Sequence, residues 1–186
     1  MDKELTDREI VRGLIEGERT AWTALCQRYS GRLWRFVARL VGSDEEVVAD
    51  VFQETMLAVA KSGRRLKLED TTLWAWLARI GHNQSALHWR RAYRRPMTTE
   101  NLSETPDDQI DAFERSETVS GVRALLAEMQ PDYVALLTAK YLDDLTIAEL
   151  VGLLGGTVEG VRSKLARARH DFRERYQRLD GQRQVV

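Results

Sequence analysis

The stretch TIAELVGLLGGTVEGVRSKLARARHDFRERY, residues 146–176, predicts two helices separated by a tight turn. Thr146 and Glu149 have the spacing of a capping box, in which both side chains accept hydrogen bonds from backbone amides at the helix start. Gly155 and Gly156 predict the turn, because glycine adopts positive φ without steric cost. Apolar residues then recur every three or four positions and indicate the buried side of a second helix: Val158, Val161, Leu165, Ala168 and Phe172.

The other side of the second helix is basic, with Arg162, Lys164, Arg167, Arg169, Arg173 and Arg175. A short helix, a glycine turn and a basic second helix are typical of a helix-turn-helix, whose second helix enters the DNA major groove. Thr157 is the predicted cap of that helix. A helical hairpin with a solvated charged face is the structural alternative. A phosphate loop is excluded, because no strand pattern precedes the glycines and no Gly-Lys-Ser/Thr follows them.

The segment 43–62 has helical spacing with one apolar and one polar side. Ser43 and Glu46 form a capping-box pattern, as do Thr6 and Glu9 near the N-terminus. The residues predicted to face inward are Val47, Val51, Met56, Leu57 and Val59. The outer side has a polar patch of Asp50, Gln53 and Glu54. Two carboxylates one turn apart suit acid–base chemistry or a metal, but no histidine lies nearby, so a solvated or protein-binding face is favoured.

The segment 73–94 combines aromatic and basic residues on one predicted helix, which ends before Pro96. Five positions share one side of it, because they differ by three, four, seven and four residues: Trp76, Arg79, Asn83, Arg90 and Arg94. Aromatic rings stack on unpaired bases and arginines contact phosphates, so this side suits single-stranded DNA. For Trp74 and Trp89 a place in the core is favoured, and for Trp76 both roles stay open.

Charge is unevenly distributed, although the formal net charge is only −1. Residues 73–95 contain five arginines and no acid, residues 96–118 seven acids and one arginine, and residues 158–178 seven basic residues and three acids. Two basic segments around an acidic spacer indicate two contacts with one polyanion. With long helical patterns and no strand pattern, we predict an all-α chain of two small helical domains, 1–96 and 119–180. A flexible acidic linker, 97–118, with a helix beginning near its end, joins them, and a disordered tail, 181–186, follows.

Several other classes of protein are disfavoured. The single cysteine, Cys26, excludes an internal disulfide and fits a reducing, cytoplasmic compartment, with a small core residue as its predicted role. No apolar run approaches the roughly 20 residues that a membrane span needs, so we expect no membrane insertion. No nucleophile, base and orienting group form a recognisable set, and His82 and His88 lie on opposite sides of their helix. We therefore expect no catalytic residue, no metal site and no cofactor.

Three motifs, taken in order, resemble bacterial RNA polymerase sigma factors of the extracytoplasmic-function type. They are DVFQETM at 50–56, AWLARIGHN at 75–83 with the arginines up to Pro96, and LTIAELVGLLGGTVEGVRSKLARAR at 145–169. The resemblance implies two helical domains, region 2 and region 4 of these factors, which guide core RNA polymerase to promoters. It also implies that the chain is not itself an enzyme, because the chemistry of RNA synthesis belongs to the polymerase.

The resemblance assigns contacts to residues of this chain. Asp50, Gln53 and Glu54 would bind the clamp helices of the largest polymerase subunit. The melted minus-ten element would be bound by the loop after Lys61 and by the next helix, through Arg64, Arg65, Trp76, Arg79, Asn83, Arg90 and Arg94. The minus-thirty-five element would be bound by Thr157, Glu159, Arg162, Ser163, Lys164 and Arg167. Further implied partners are the polymerase flap and an anti-sigma factor.

Two other functions remain compatible with the residues alone. A stand-alone helix-turn-helix regulator would bind a duplex operator without polymerase. A protein-binding helical adaptor would work without Arg162 and Arg167. The order of the three motifs favours the sigma factor over both.

Overall fold

The structure, a computed structural model, describes residues 4–64, 66, 72–94 and 109–183, and at 93–94, 109–117 and 180–183 it describes the backbone alone. No strand occurs among these residues, and the predicted all-α fold is confirmed. The helices are α1 (Asp7–Glu16), α2 (Arg19–Val41), α3 (Glu45–Gly63), α4 (Leu73–Arg94), α5 (Gln109–Glu128), α6 (Pro131–Tyr141), α7 (Ile147–Leu154) and α8 (Val158–Arg183).

Helix starts follow the local sequence signals in two of three capping boxes. Thr6 with Glu9, and Thr146 with Glu149, make both reciprocal hydrogen bonds of the box. The third prediction was wrong, because α3 is capped by Asp44 and not by the preceding serine. The Asp44 carboxylate accepts hydrogen bonds from two backbone amides of the first turn. A charged acceptor at a helix N-terminus binds amides more strongly than a hydroxyl does. Its negative charge also interacts favourably with the positive end of the helix dipole.

The buried side of α3 is rotated slightly from the predicted one. Its buried residues are Val48, Val51, Thr55, Val59 and Gly63. The Thr55 hydroxyl donates to the Val51 carbonyl at 2.7 Å, so this polar residue is satisfied within its own helix. Leu57 was predicted to face inward and is instead 53% exposed. The polar patch of α3 therefore has an apolar residue at its C-terminal edge.

One hydrophobic core extends through the N-terminal half (α1–α4) and the C-terminal half (α5–α8). Helix α4 packs against α2 and α3 on one side and against α5, α6 and α7 on another. Leu125, Met129, Val134 and Ala135 of the C-terminal half are buried in the same cluster as the apolar residues of α4. A smaller cluster lies within the helix-turn-helix and α6. The two halves are therefore packed against each other.

Two helix bounds differ from the predicted organisation. Helix α5 begins at Gln109, inside the segment 97–118 predicted as linker, and α8 continues to Arg183, inside the predicted tail. Helix-favouring residues at 112–117 precede the first apolar stripe of α5, which explains its early start. Residues 97–108 and 184–186 lie outside the described residues. The division into domains at 1–96 and 119–180 stays a prediction.

Candidate nucleic-acid interface

The glycine turn sets the position of α8 relative to α7. Gly155 and Gly156 have φ values of 79° and 96°, which residues with a Cβ rarely adopt. The Thr157 hydroxyl accepts a hydrogen bond from the amide of Gly160 at 3.1 Å, as predicted for a helix cap. Val161 and Leu165 of the apolar stripe are buried in the smaller cluster with residues of α6 and α7, whereas Val158, predicted to face inward, is 42% exposed at the helix start. The opposite, basic side of α8 therefore faces outward.

We call the outward residues Arg162, Ser163, Lys164 and Arg167 the α8 face. All except Lys164 are exposed, and Lys164 is half-buried. The Arg162 guanidinium lies 3.6 Å from the carboxylate of Glu159 on the preceding turn. Thr157 and Glu159 are exposed at the start of the same helix. Exposed guanidinium groups at the N-terminal end of a helix have the geometry for contacts with phosphates and base edges.

We call Trp76, Arg79, Asn83 and Arg90 the α4 face. Arg79, Asn83 and Arg90 are exposed, and Trp76 is half-buried. Arg64 is exposed but does not belong to helix α4. Its guanidinium lies beside Gly17 at the end of α1. Arg65 and the side chain of Arg94, which were predicted to join the same surface, lie outside the described residues.

Two of the three tryptophans on α4 have structural roles. Trp74 is 4% exposed. Its ring stacks on Tyr29 with centroids 6.3 Å apart and lies 5.0 Å from the guanidinium carbon of Arg32. Trp89 is half-buried, and its Nε1 donates to the Leu40 carbonyl at 2.9 Å. The remaining tryptophan, Trp76 on the α4 face, is half-buried and packs against the main hydrophobic core.

One carboxylate joins the two basic faces. Asp132, in the first turn of α6, has Oδ1 at 2.8 Å from Nη2 of Arg79 and Oδ2 at 3.3 Å from Nζ of Lys164. Burial raises the pKa of Asp132, but the hydrogen bond and charge of Arg79, together with the charge of Lys164, outweigh burial. The pKa of Asp132 therefore lies below its ordinary value, and the carboxylate is ionised at neutral pH.

Sequence reasoning missed Asp132. Pro131 followed by an acid is an ordinary start signal for a helix, and no local pattern indicates that the acid reaches α4. Asp132, Arg79, Lys164 and Arg167 line a cleft of about 290 Å³ between the halves. The contact depends on how the two halves pack, which the spacing of residues in the chain does not encode.

Other polar contacts join the two halves close to this cleft. The Thr72 hydroxyl accepts a hydrogen bond from the amide of Ala75 at 3.2 Å and so caps α4. The same hydroxyl donates to the Leu153 carbonyl near the end of α7. Farther along, Arg39 of α2 pairs with Asp143 at 2.6 Å. The boundary between the halves is therefore polar at its edge and apolar at its centre.

His82 lies buried at the same boundary and is 2% exposed. Its Nε2 is 2.8 Å from the carbonyl oxygen of Leu126, so Nε2 carries a proton and donates it to that oxygen. Nδ1 has no hydrogen-bond partner within the described part of the chain. Burial lowers the pKa of His82, and the hydrogen bond to Leu126 opposes this only in part. The ring is therefore neutral at neutral pH.

The polar patch on α3 consists of Asp50, Gln53 and Glu54, and we call it the α3 patch. Asp50 and Gln53 are exposed, and Glu54 is half-buried. Glu54 Oε1 lies 3.0 Å from Nη1 of Arg91 on α4. Leu57, one turn beyond Gln53, continues the patch with an exposed apolar side chain. The α3 patch therefore combines two acids and an amide with an exposed apolar residue at its C-terminal edge.

An apolar groove of about 500 Å³ lies between α5, α6 and α8 in the C-terminal half. Tyr141 and Leu142 at its edge are 54% and 57% exposed. Its lining residues are Val122, Leu126, Leu137, Thr138, Tyr141, Leu142, Arg169, Phe172, Arg173 and Tyr176. Exposed apolar surface of this kind marks a place where a protein segment can bind.

Neither a metal centre nor a membrane span is found among the described residues. No cluster of three histidine, cysteine, aspartate or glutamate side chains with metal-binding geometry occurs there. No described helix combines the length and the apolar character that crossing a membrane requires. Cys26 is half-buried, and burial raises the pKa of its thiol.

Comparisons with known proteins match both halves of the chain. The family model described as Sigma-70 region 2 matches residues 25–95, and the one described as Sigma-70, region 4 matches residues 121–171. The ECF RNA polymerase sigma-E factor of Escherichia coli K12 is 25% identical over 200 residues, covering 96% of this chain and 98% of that one. The factor of the same name in Haemophilus influenzae is 23% identical over 191 residues, covering 96% and 100%.

Among solved structures, the chain is similar to CnrH in complex with the cytosolic domain of CnrY. Sequence identity is 23%, the similarity covers 94% of this chain and 97% of that one, and the TM-score is 0.48. In this chain, the α3 patch and the α4 face fall within the first family match, and the α8 face falls within the second.

Proposed function

The chain belongs to the sigma-70 family, as a sigma factor of the extracytoplasmic-function type that directs RNA polymerase to promoters, and we propose that the α3 patch, the α4 face and the α8 face are the surfaces it uses. The observation that supports this assignment is the presence of one basic face in each matched region. An opened promoter offers both a single strand and a duplex, and each face has the chemistry for one of them.

The α4 face is assigned to the melted minus-ten element. Extruding a base from a duplex costs a few kcal/mol, whereas stacking a base on an aromatic ring returns about 1–3 kcal/mol. Trp76 supplies ring surface, Arg79 and Arg90 supply phosphate contacts, and Asn83 supplies an amide that can bond to base edges. Arg64, Arg65 and Arg94 are proposed to add positive charge to the same strand contact.

The α8 face is assigned to the minus-thirty-five duplex. Arg162, Ser163 and Arg167 are exposed on a helix whose inner side is buried, so α8 has the form that enters a major groove about 12 Å wide. Thr157 and Glu159, at the start of the helix, are proposed as further contacts. Phosphate contacts from this end would fix the register, and a few base contacts would then supply sequence preference.

Core RNA polymerase is the proposed protein partner of the α3 patch. Asp50, Gln53 and Glu54 are proposed to bind the clamp helices of the largest subunit. Leu57 adds an exposed apolar residue of the kind that becomes buried at the centre of an interface. The apolar groove in the C-terminal half, with its lining arginines Arg169 and Arg173, is proposed to receive the polymerase flap.

The remaining features of the role follow from this assignment. The polymerase supplies the chemistry of RNA synthesis, so the chain acts as a non-enzymatic initiation factor without a cofactor. It would work in the cytoplasm, where polymerase meets the chromosome. An anti-sigma protein is proposed as a further partner, since the boundary between the halves offers both faces to one inhibitor.

Run-off transcription tests the assignment directly. Core polymerase with the purified chain should produce discrete transcripts from a subset of genomic fragments, and start-site mapping should reveal two shared upstream elements. Core polymerase alone is the control and should yield none of these transcripts. If the chain shifted duplex DNA without polymerase and gave no transcripts with it, a stand-alone regulator would be the better assignment.

A further inference from the structure

Asp132 neutralises one cation of each DNA-contacting face. Its two carboxylate oxygens lie 2.8 Å from Arg79 Nη2 and 3.3 Å from Lys164 Nζ. Arg79 belongs to the N-terminal half, whereas Asp132 and Lys164 belong to the C-terminal half. The Arg79–Asp132 pair therefore spans the halves. The side chains of Arg79 and Lys164 keep 55% and 45% of their surface exposed, so a ligand outside the cleft can compete for both.

The cleft around Asp132 is too small for nucleic acid. Its volume of about 290 Å³ lies just below the range of small-molecule pockets, about 300–1,000 Å³. Arg79 of the α4 face and Arg167 of the α8 face line this same cleft. While the halves remain packed together, nucleic acid cannot enter the cleft to reach the sides of Arg79 and Arg167 that line it. Contacts of nucleic acid with these cleft-lining sides therefore require the halves to separate.

We propose that Asp132 is an autoinhibitory latch, which keeps the halves of the unbound chain together and occupies Arg79 and Lys164 until DNA phosphates replace its carboxylate. The latch rests on the proposed function for the DNA-binding roles of these two cations. A phosphate has the same sign of charge as the carboxylate and can take over its partners. The N-terminal position of Asp132 on α6 stabilises its charge through the helix dipole, so the acid stays ionised when the halves separate.

The latch does not have to be strong. Partly exposed ion pairs contribute little to stability, so Asp132 shifts a balance between closed and open forms and does not lock one of them. Assembly with polymerase and DNA supplies the differential binding that selects the open form. A weak latch at two functional cations lowers DNA binding by the unbound chain and adds little cost to holoenzyme formation.

A distance measurement on the full chain tests the latch. Fluorescent labels are placed at Thr20→Cys on α2 and Gln177→Cys on α8, both exposed positions, in a chain that also carries Cys26→Ser. Asp132→Asn should raise the ratio of open to closed molecules about twofold to tenfold. The affinity of the unbound chain for a minus-thirty-five duplex should rise by a similar factor. An unchanged distance distribution in Asp132→Asn overturns the proposal.

A matched control and a second measurement keep the test decisive. Asp171→Asn removes the same charge, but Asp171 pairs with Arg175 within α8 at 2.9 Å, so the distance distribution should not change. If Asp132→Asn does not fold, the unmodified labelled chain is titrated from about 0.1 M to about 1 M NaCl, which shortens the Debye length from about 10 Å to about 3 Å. The latch then predicts progressive opening, and a constant distance contradicts it.

The distance measurement and run-off transcription together distinguish failure of the latch from failure of the proposed function. The label distance is measured without polymerase or DNA, whereas run-off transcription measures function. Normal transcripts with no change of distance in Asp132→Asn reject the latch alone. Opening in Asp132→Asn with no transcripts from any variant rejects the DNA-binding roles on which the latch rests.

Discussion

Trp89 Nε1 donates a hydrogen bond to the carbonyl oxygen of Leu40, 2.9 Å away, and so ties α4 to the C-terminal end of α2. Trp89→Phe removes the donor and leaves that carbonyl without its bond. We expect a loss of about 1 kcal/mol in the free energy of unfolding, or about 2–4 °C in melting temperature. Promoter opening by the holoenzyme should be retained. A stable variant with defective opening would show instead that Trp89 contacts DNA.

Trp76→Ala should impair opening at the minus-ten element and, because Trp76 also packs against the main core, should lower fold stability as well. One lost base stack corresponds to about 1–3 kcal/mol, or about a fivefold to 150-fold weaker binding of a forked promoter template. The measurement is the dissociation constant of the holoenzyme on forked and on fully duplex templates. Trp76→Phe, which keeps a ring, is the matched variant and should recover most of the affinity. Equal losses on both templates would argue against stacking on an unpaired base.

Neutralising the α8 face should weaken binding at the minus-thirty-five element. Arg162→Ala or Arg167→Ala should lower holoenzyme affinity for a duplex upstream fragment, by about 1–3 kcal/mol where the arginine contacts a base. If the contact is to a phosphate, the salt dependence should fall by about one ion per arginine. Arg178→Ala, on the same helix but far from its start, is the control. Unaltered affinity in both test variants would favour a protein-binding adaptor.

Reversing the charge of Asp50 should abolish holoenzyme formation. A surface that binds Asp50 through its charge must be basic, so Asp50→Arg would bring like charges together, which costs several kcal/mol. Asp50 is a cleaner choice than Glu54, because Glu54 also pairs with Arg91 and its reversal would disturb α4. The measurement is co-migration with core polymerase in size-exclusion chromatography. Glu16→Arg on α1 reverses another exposed acid, removing its ion pair with Arg12 within the same helix, and should co-migrate normally.

The stability of the folded chain should fall as the pH drops below about 6.5 because of His82. Its pKa in the folded chain is lower than the ordinary value of 6.5, so the unfolded chain takes up a proton at a pH where the folded one does not. The unfolded state then binds more protons and is favoured as the pH falls. This contribution is fully present above pH 6.5 and is lost as the pH falls toward the pKa of the folded state.

Urea unfolding at a pH well above and a pH well below 6.5 measures this dependence. His82→Gln keeps a donor for the Leu126 carbonyl and cannot protonate, so its pH dependence should be smaller than that of the original chain. His88→Gln removes a half-buried histidine of the same helix and should keep the full dependence. Identical pH dependence in His82→Gln and in the original chain would contradict the assignment.

The sequence predicted features that depend on neighbouring residues. The capping boxes at Thr6 and Thr146 form as expected, because their partners lie three residues away. The turn at Gly155 and Gly156 was also predictable, because its φ values are ones that glycine favours. The outer side of the basic helix followed from the periodicity of its apolar stripe.

Features that depend on packing were not predictable in the same way. The acid that joins Arg79 to Lys164 is 53 residues from the arginine in the chain. Leu57 was assigned to the interior by hydrophobicity, whereas the buried side of α3 includes Thr55, whose hydroxyl is satisfied within the helix. His82 carried no sequence signal for burial, because the element that covers it, α5, comes later in the chain. Each case depends on which helices pack against each other. The periodicity of apolar residues predicts only which side of a helix is buried.

The Thr72 hydroxyl has a consequence for building hybrids of this chain with its relatives. One oxygen atom serves the first turn of α4 and the carbonyl of Leu153, and the Thr72 methyl lies beside Gly155. A chimera that joins residues 1–118 to a relative's C-terminal portion would place foreign backbone against this threonine. Compatibility at the seam is therefore decided partly at position 72, far upstream of the splice. In chimeras without a compatible residue at position 72, the two portions should pack together less well even when each portion folds correctly.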